Sequence, residues 1–290
     1  MPHIGAPSSW VPPKRMNEPP PADPQPRPQR ASGSARLTVK PVNGRTRIAT
    51  LFQEGCAKIR LPETDSHSLE AVMINTSGGL TGGDEIKWQF DIADDCLAQI
   101  TTQACERIYR ASAEIAHVTT ELKAGERASF AWLPQETIVF EGSALQRNLS
   151  VDLAATSRAL IVEPIVFGRK AMGEDVEKCT FRDRWRIHRN GVLIHAEDFH
   201  IGPDAASALG RPALFAGMRT MATVLLLDND AERHLEASRK IIGKKGGASF
   251  WSGKLLARLI DSDAYSMRKR LVPLIELLNE KAGLPKVWSI

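Results

Sequence analysis

The sequence predicts a mainly β fold with a small α-helical element near its C-terminus. Two patterns carry that prediction. Short runs of strict apolar–polar alternation, separated by turn residues, fill most of the chain from Ala35 onward, and helical spacing is confined to the part beyond residue 230. A third observation sets the limits: ten of the 18 prolines fall within residues 1–30. So dense a tract sustains neither helix nor sheet hydrogen bonds and has little apolar content to pack. Residues 1–33 are therefore expected to be a disordered leader, and residues 34–290 a single β-rich domain.

The clearest strand is EIKWQFDI (85–92), which sets Ile86, Trp88, Phe90 and Ile92 on one face and Glu85, Lys87, Gln89 and Asp91 on the other. Similar runs are AVMIN (71–75), AQITTQ (98–103), ASFAWL (128–133), ETIVF (136–140), LSVDL (149–153), LIVEPIVF (160–167) and MATVLLLD (221–228). DRWRIHRNGVLIHAED (183–198) reads as a hairpin about Asn190-Gly191, both of which tolerate positive φ. Counting out from that turn sets Arg189 opposite Val192, His188 opposite Leu193 and Arg184 opposite Glu197. Trp185, Ile187, Val192, Ile194 and Ala196 then share one face, and His188 and His195 share the polar one. Helices are expected over 231–242, ended by Gly243, and over 264–283, interrupted at Pro273, with a strand at 248–260 between them. No heptads and no repeat of fixed length are visible.

Composition excludes several classes. Hydrophobic content of 42% and charged content of 25% are those of an ordinary globular protein. The net charge of +4 is uneven: residues 231–290 carry twelve basic and six acidic residues, while residues 31–230 are slightly acidic. No aromatic-rich basic motif accompanies the charge, so no nucleic-acid partner is expected. No apolar run approaches membrane-spanning length, and the N-terminus has no apolar core of a secretory signal. Cys56, Cys96, Cys105 and Cys179 form no C-x-x-C pair and read as ordinary thiols of a reducing, cytoplasmic setting.

The glycine-rich stretch NTSGGLTGGD (75–84) tests one chemistry. Gly78 and Gly83 have the spacing of a phosphate-cradling loop, yet Asp84 stands where the lysine belongs, and a strand rather than a helix follows. The glycines instead read as a tight connection that lets another backbone approach, with Asp84 capping a turn or lining a polar channel. The pair His188 and His195, with Glu197 and His200 nearby, lacks the spacing of a metal motif and reads as surface histidines. No nucleophile elbow occurs, and no two carboxylates are paired as acid and base. On these residues the chain reads as a binding or scaffold protein rather than an enzyme. A β-rich hydrolase with a dispersed active site is the alternative.

Five blocks in order resemble the urease accessory protein UreD family, called UreH in some organisms: NTSGGLTGGD, TTQACERIYR (101–110), WLPQETIVFEGS (132–143), EPIVFGRKAMGE (163–174) and LPKVW (284–288). The resemblance covers residues from about 35 to 290. It implies a stacked, helix-like arrangement of β-sheets and a non-enzymatic role in urease maturation. The implied partners are the urease apoprotein, UreF and, through UreF, the GTPase UreG. The implied cargo is nickel, passed transiently through an internal tunnel with no tightly bound cofactor. Asp84, at the end of the glycine block, is the first nickel-path candidate. Glu106, Glu136, Glu163 and Glu174 are further candidates because they are acidic and lie in or beside matching blocks, and a borderline cation in transit favours carboxylates over softer thiols.

Overall fold

A computed structural model describes residues 29–63, 67–169 and 172–288. The leader expected for residues 1–33 falls mostly outside these residues; the first strand begins at Ser32, two residues before the expected start of the domain. The fold is the mainly β architecture that the alternation predicts. A seven-stranded sheet contains β1 (Ser32–Val42), β2 (Arg45–Gly55), β5 (Glu85–Ile92), β8 (Ala116–Ala124), β11 (Ala144–Leu153), β13 (Thr180–Arg189) and β14 (Val192–Ile201), in the order β2-β1-β5-β8-β11-β13-β14. A ten-stranded sheet faces it. Its main path is β3 (Ala57–Arg60), β4 (Leu69–Asn75), β6 (Leu97–Thr102), β9 (Ser129–Leu133), β12 (Arg158–Phe167), β15 (Thr220–Leu227), β17 (Lys254–Asp261) and β16 (Gly246–Trp251). Short β7 (Glu106–Ile108) and β10 (Thr137–Val139) extend it sideways from β12.

The chain alternates between the sheets, β5 to β6 to β8 to β9 to β11 to β12 to β13, and each return pairs parallel with the strand before it. The result is a β-solenoid with coils of about 30 residues. No sequence repeat betrays it, because the coils share only their alternation. Antiparallel hairpins close the ends: β1–β2 and β13–β14 in one sheet, β3–β4 and β15–β17–β16 in the other.

Alternation decides which side chains enter the core. Ala159, Ile161, Ile165 and Phe167 of β12 face the first sheet and meet Trp88, Phe90, Leu149 and Trp185 there. Leu160 and Val162 face the other way, toward Met267, Leu271, Leu274, Ile275 and Leu278 of helix α3 (Ala264–Asn279). The ten-stranded sheet is thus covered on both faces, and every residue of β15 is buried. A short helix α1 (Ala205–Gly210) lies between β14 and β15, and α2 (Leu235–Ile242) ends at Gly243, as the sequence pattern predicts.

Three local expectations change. Residues 248–260 form the hairpin β16–β17 around Ser252-Gly253 rather than one strand. Pro273 lies inside α3 instead of interrupting it. Its missing N–H removes one helix bond, but the leucines on either side seat the helix in the core, and that burial outweighs the roughly 3 kcal/mol cost of an interior proline. In the 183–198 hairpin, Asn190 and Gly191 have φ of 49° and 76°, so the turn is as expected. The register then slips at Ile194: Ile187 pairs with His195, and Arg184 with Asp198 rather than Glu197. The bulge turns His195 inward onto Trp185, with ring centroids 6.4 Å apart, while His188 stays outside beside Asp152. The two histidines lie on opposite faces, and burial lowers the pKa of His195.

Candidate functional site

The glycine block joins β4 to β5 as the close connection its sequence suggests. Gly79 has φ +154°, and a Cβ there would lie 2.7 Å from the Arg107 carbonyl. Leu80 N–H donates to that same carbonyl, which lays the loop along β7. Asp84 is buried and caps the turn: Oδ2 accepts from Thr81 N–H at 2.7 Å, and Oδ1 from Ala31 N–H at 2.8 Å. Both carboxylate oxygens are therefore committed to backbone donors.

Behind this loop, between the two sheets, lies a cavity of about 50 Å³. Its apolar walls include Trp88, Trp132 and Leu145, and its polar lining includes Glu106, Arg147 and Glu163. Two of the five sequence candidates, Glu106 and Glu163, thus meet one space.

Glu106 opens β7. It keeps a little solvent contact, but most of its surroundings are protein. Among the described residues, the one side-chain donor to its carboxylate is the Asn75 amide, at 3.1 and 3.3 Å. Burial with only a neutral partner pushes its pKa up to about 7. Glu163 projects inward from the middle of β12 and is 2% exposed. Oε1 accepts from Trp132 Nε1–H at 2.7 Å, and Oε2 lies 2.6 Å from Arg147 Nη1. Burial and the charge of Asp183 push its pKa up, against the pull of Arg147.

The remaining candidates are held elsewhere. Glu136, just before β10, faces α3 and takes Arg268 Nε and Nη2 at 2.6 and 2.8 Å. Cys105 Sγ–H also donates to Glu136, and burial raises that thiol to about 11. Glu174 lies on the surface, paired with Arg169 at 2.5 Å in an open cleft of about 720 Å³. Among the described residues, no three of His, Cys, Asp and Glu converge into a metal ligand set.

Sequence reasoning missed Arg147. Its Nε and Nη2 donate to Asp183 Oδ1 and Oδ2 at 3.1 and 2.6 Å, and Nη1 donates to Thr137 Oγ1 at 3.1 Å. A signal was available. Leu145, Leu149, Val151 and Leu153 set the inward face of β11, and Arg147 falls on it; Phe181, Trp185 and Ile187 do the same for Asp183 on β13. Opposite charges at inward positions of two strands mark a buried pair, and the register does set Arg147 against Asp183.

The fold and site together define a two-sheet β-solenoid with buried carboxylates gathered on an interior cavity. A family model described as UreD urease accessory protein matches residues 31–289. The chain is 55% identical over 266 residues to the urease accessory protein UreD of Mesorhizobium japonicum, covering 90% of this chain and 95% of the relative. It is 52% identical to the protein of that name from Brucella suis over the same shares of both chains. It is 50% identical over 270 residues to urease accessory protein UreD 1 of Brucella anthropi. The chain belongs to the UreD family of urease accessory proteins. No helix among its described residues is long and apolar enough to cross a membrane.

Proposed function

We propose that this chain is a non-enzymatic urease maturation factor that hands nickel toward the active site of apo-urease. In this reading it works in the cytoplasm and binds apo-urease together with UreF and, through UreF, the GTPase UreG. Nickel is its cargo and passes through transiently; neither nucleic acid nor a membrane is a partner. The observation that carries the reading is the placement of Glu106 and Glu163 on one cavity between the sheets.

The chemistry follows from those two side chains. Nickel is a borderline cation that accepts carboxylate oxygen without being trapped as it is by clustered thiolates. Among the described residues no cation pairs with Glu106, so an arriving divalent ion relieves the cost of keeping that carboxylate buried and charged. Glu163 is a second station deeper in the coil stack. Asp84, Glu136 and Glu174 lie off that cavity and are each already held by backbone N–H groups or by an arginine, so we assign the route to Glu106 and Glu163.

The test is a pull-down with the full-length chain as bait, followed by metal analysis of urease from cells carrying Glu106→Gln or Glu163→Gln. Urease subunits and a GTPase should be captured, and urease should accumulate with its nickel lowered at least several-fold. Fully metallated urease in both variants would remove the route. Turnover of ester or glycoside substrates by the purified chain would favour the hydrolase alternative.

A further inference from the structure

Arg147 carries one positive charge between two buried carboxylates, and its two contacts are unequal. Toward Asp183 it makes two aligned hydrogen bonds from Nε and Nη2, a forked grip. Toward Glu163 it has closeness without alignment: Nη1 lies 2.6 Å from Oε2, yet Oε2 accepts no well-directed hydrogen bond from any side chain described. Thr137 Oγ1 accepts from the same Nη1 at 3.1 Å, so that nitrogen keeps a partner if it moves off Glu163. One end of the guanidinium is fixed on β13 by two aligned hydrogen bonds, and the other makes a single close but unaligned contact with β12.

We propose that Arg147 is a charge gate on the interior route, hinged on Asp183 and released from Glu163 only by a divalent cation. The inference rests on the transport reading above. Its physical basis is competition at Glu163. A monovalent ion brings no more charge than the guanidinium already there and must also shed its water, so it gains nothing by displacing Nη1. A divalent ion also pays more to shed its water, but it can face both carboxylates of the cavity, Glu106 and Glu163, at once and neutralise the two together, which one guanidinium or one monovalent ion cannot do. The displaced guanidinium stays neutralised by Asp183, so opening leaves no arginine buried without a partner.

The gate separates from a purely structural ion pair by two variants of the full-length chain, mixed with nickel chloride and followed for the rate of nickel uptake by loss of free nickel to a metal-sensitive dye, with and without excess potassium chloride. Asp183→Asn leaves one arginine and one glutamate, a balanced pair that draws Arg147 wholly onto Glu163. Nickel uptake should slow about tenfold, as for a gate held shut. Arg147→Gln removes the gate, and potassium should then suppress nickel uptake about tenfold, whereas the natural chain should be indifferent to potassium. Uptake at the natural rate in Asp183→Asn would overturn the gate even if Arg147→Gln fails to fold. Glu163→Gln distinguishes the two readings: natural nickel uptake there sinks the route and the gate together, while loss of uptake there with normal uptake in Asp183→Asn sinks the gate alone.

Discussion

The Glu106 carboxylate is held by the Asn75 amide, whose Nδ2 donates to both of its oxygens, at 3.1 and 3.3 Å. The two residues stand 31 positions apart, about one coil of the solenoid, and they tie the glycine connection to β7. A neutral partner for a buried acid has a measurable consequence. The folded carboxyl titrates near 7 and the unfolded one near 4.5, so the folded state binds more protons between those values. Stability from this group is greatest below about 4.5 and is lost as pH rises to about 7. Glu106→Gln should abolish that loss and make the protein more stable than the natural chain above pH 7, by up to about 3 kcal/mol. Thermal unfolding at acidic and alkaline pH measures it; equal pH slopes in the two proteins would refute it.

Glu136 should behave in the opposite sense. Burial pushes its pKa up, but the Arg268 hydrogen bonds and charge outweigh burial and hold it below the usual carboxylate range. Its contribution is present above the unfolded pKa and is lost as pH falls through the lower, folded value. Arg268 also stacks over Trp288 near the C-terminus, with its guanidinium carbon 5.1 Å from the ring centroid, and its bonds to Gln135 and Glu136 fasten α3 to the segment before β10. Arg268→Ala should cost about 3 kcal/mol, because it strands a buried carboxylate. Adding Glu136→Gln should return much of that loss. Urea unfolding of the single and double variants gives the coupling directly, and strictly additive losses would contradict the pairing.

Gly79 and Gly78 make a matched pair for testing the glycine connection. Both have positive φ, but a Cβ at Gly78 meets open space, while one at Gly79 meets the Arg107 carbonyl and the Tyr109 ring. Gly78→Ala should cost about 1 kcal/mol from backbone conformation alone. Gly79→Ala should cost at least about 2 kcal/mol and loosen β7 from the loop. Hydrogen exchange at Leu80 and Tyr109, whose N–H groups bond across that junction, reports the loosening.

All four cysteines are free, and burial raises the pKa of each, to about 11 for Cys105 and about 12 for Cys179. The thiolate is the reactive form, so iodoacetamide at neutral pH should modify the folded chain slowly at every cysteine. All four should react rapidly once the chain is unfolded in urea. Fast labelling of any one in the folded protein would show a thiolate at that position.

The mainly β architecture and most strand positions were legible because period-two alternation is a local signal. The strand at 85–92 appears at the predicted bounds, and the Asn190-Gly191 turn forms as its two residues dictate. The inward character of Glu163 and Arg147 is equally present in their strands, where each charge falls at a position that its apolar neighbours mark as inward. The hairpin register was not legible. One unpaired residue at Ile194 reverses the face of everything beyond it, so His195 became buried where simple counting exposed it.

Alternation alone marks which side chains point inward everywhere except beyond the bulge of β14, the turn residues mark where the chain reverses, and five ordered blocks carry the resemblance to the UreD family. Which inward charges meet depends on how the coils stack. Asn75 with Glu106 and Trp132 with Glu163 are each 31 residues apart, and Arg147 with Asp183 are 36 apart. Alternation specifies a face and carries no information about the neighbouring strand; stacking of coils supplies the neighbour. The cavity, with two glutamates on it and one arginine gripping a third carboxylate behind it, exists only once that stacking is complete.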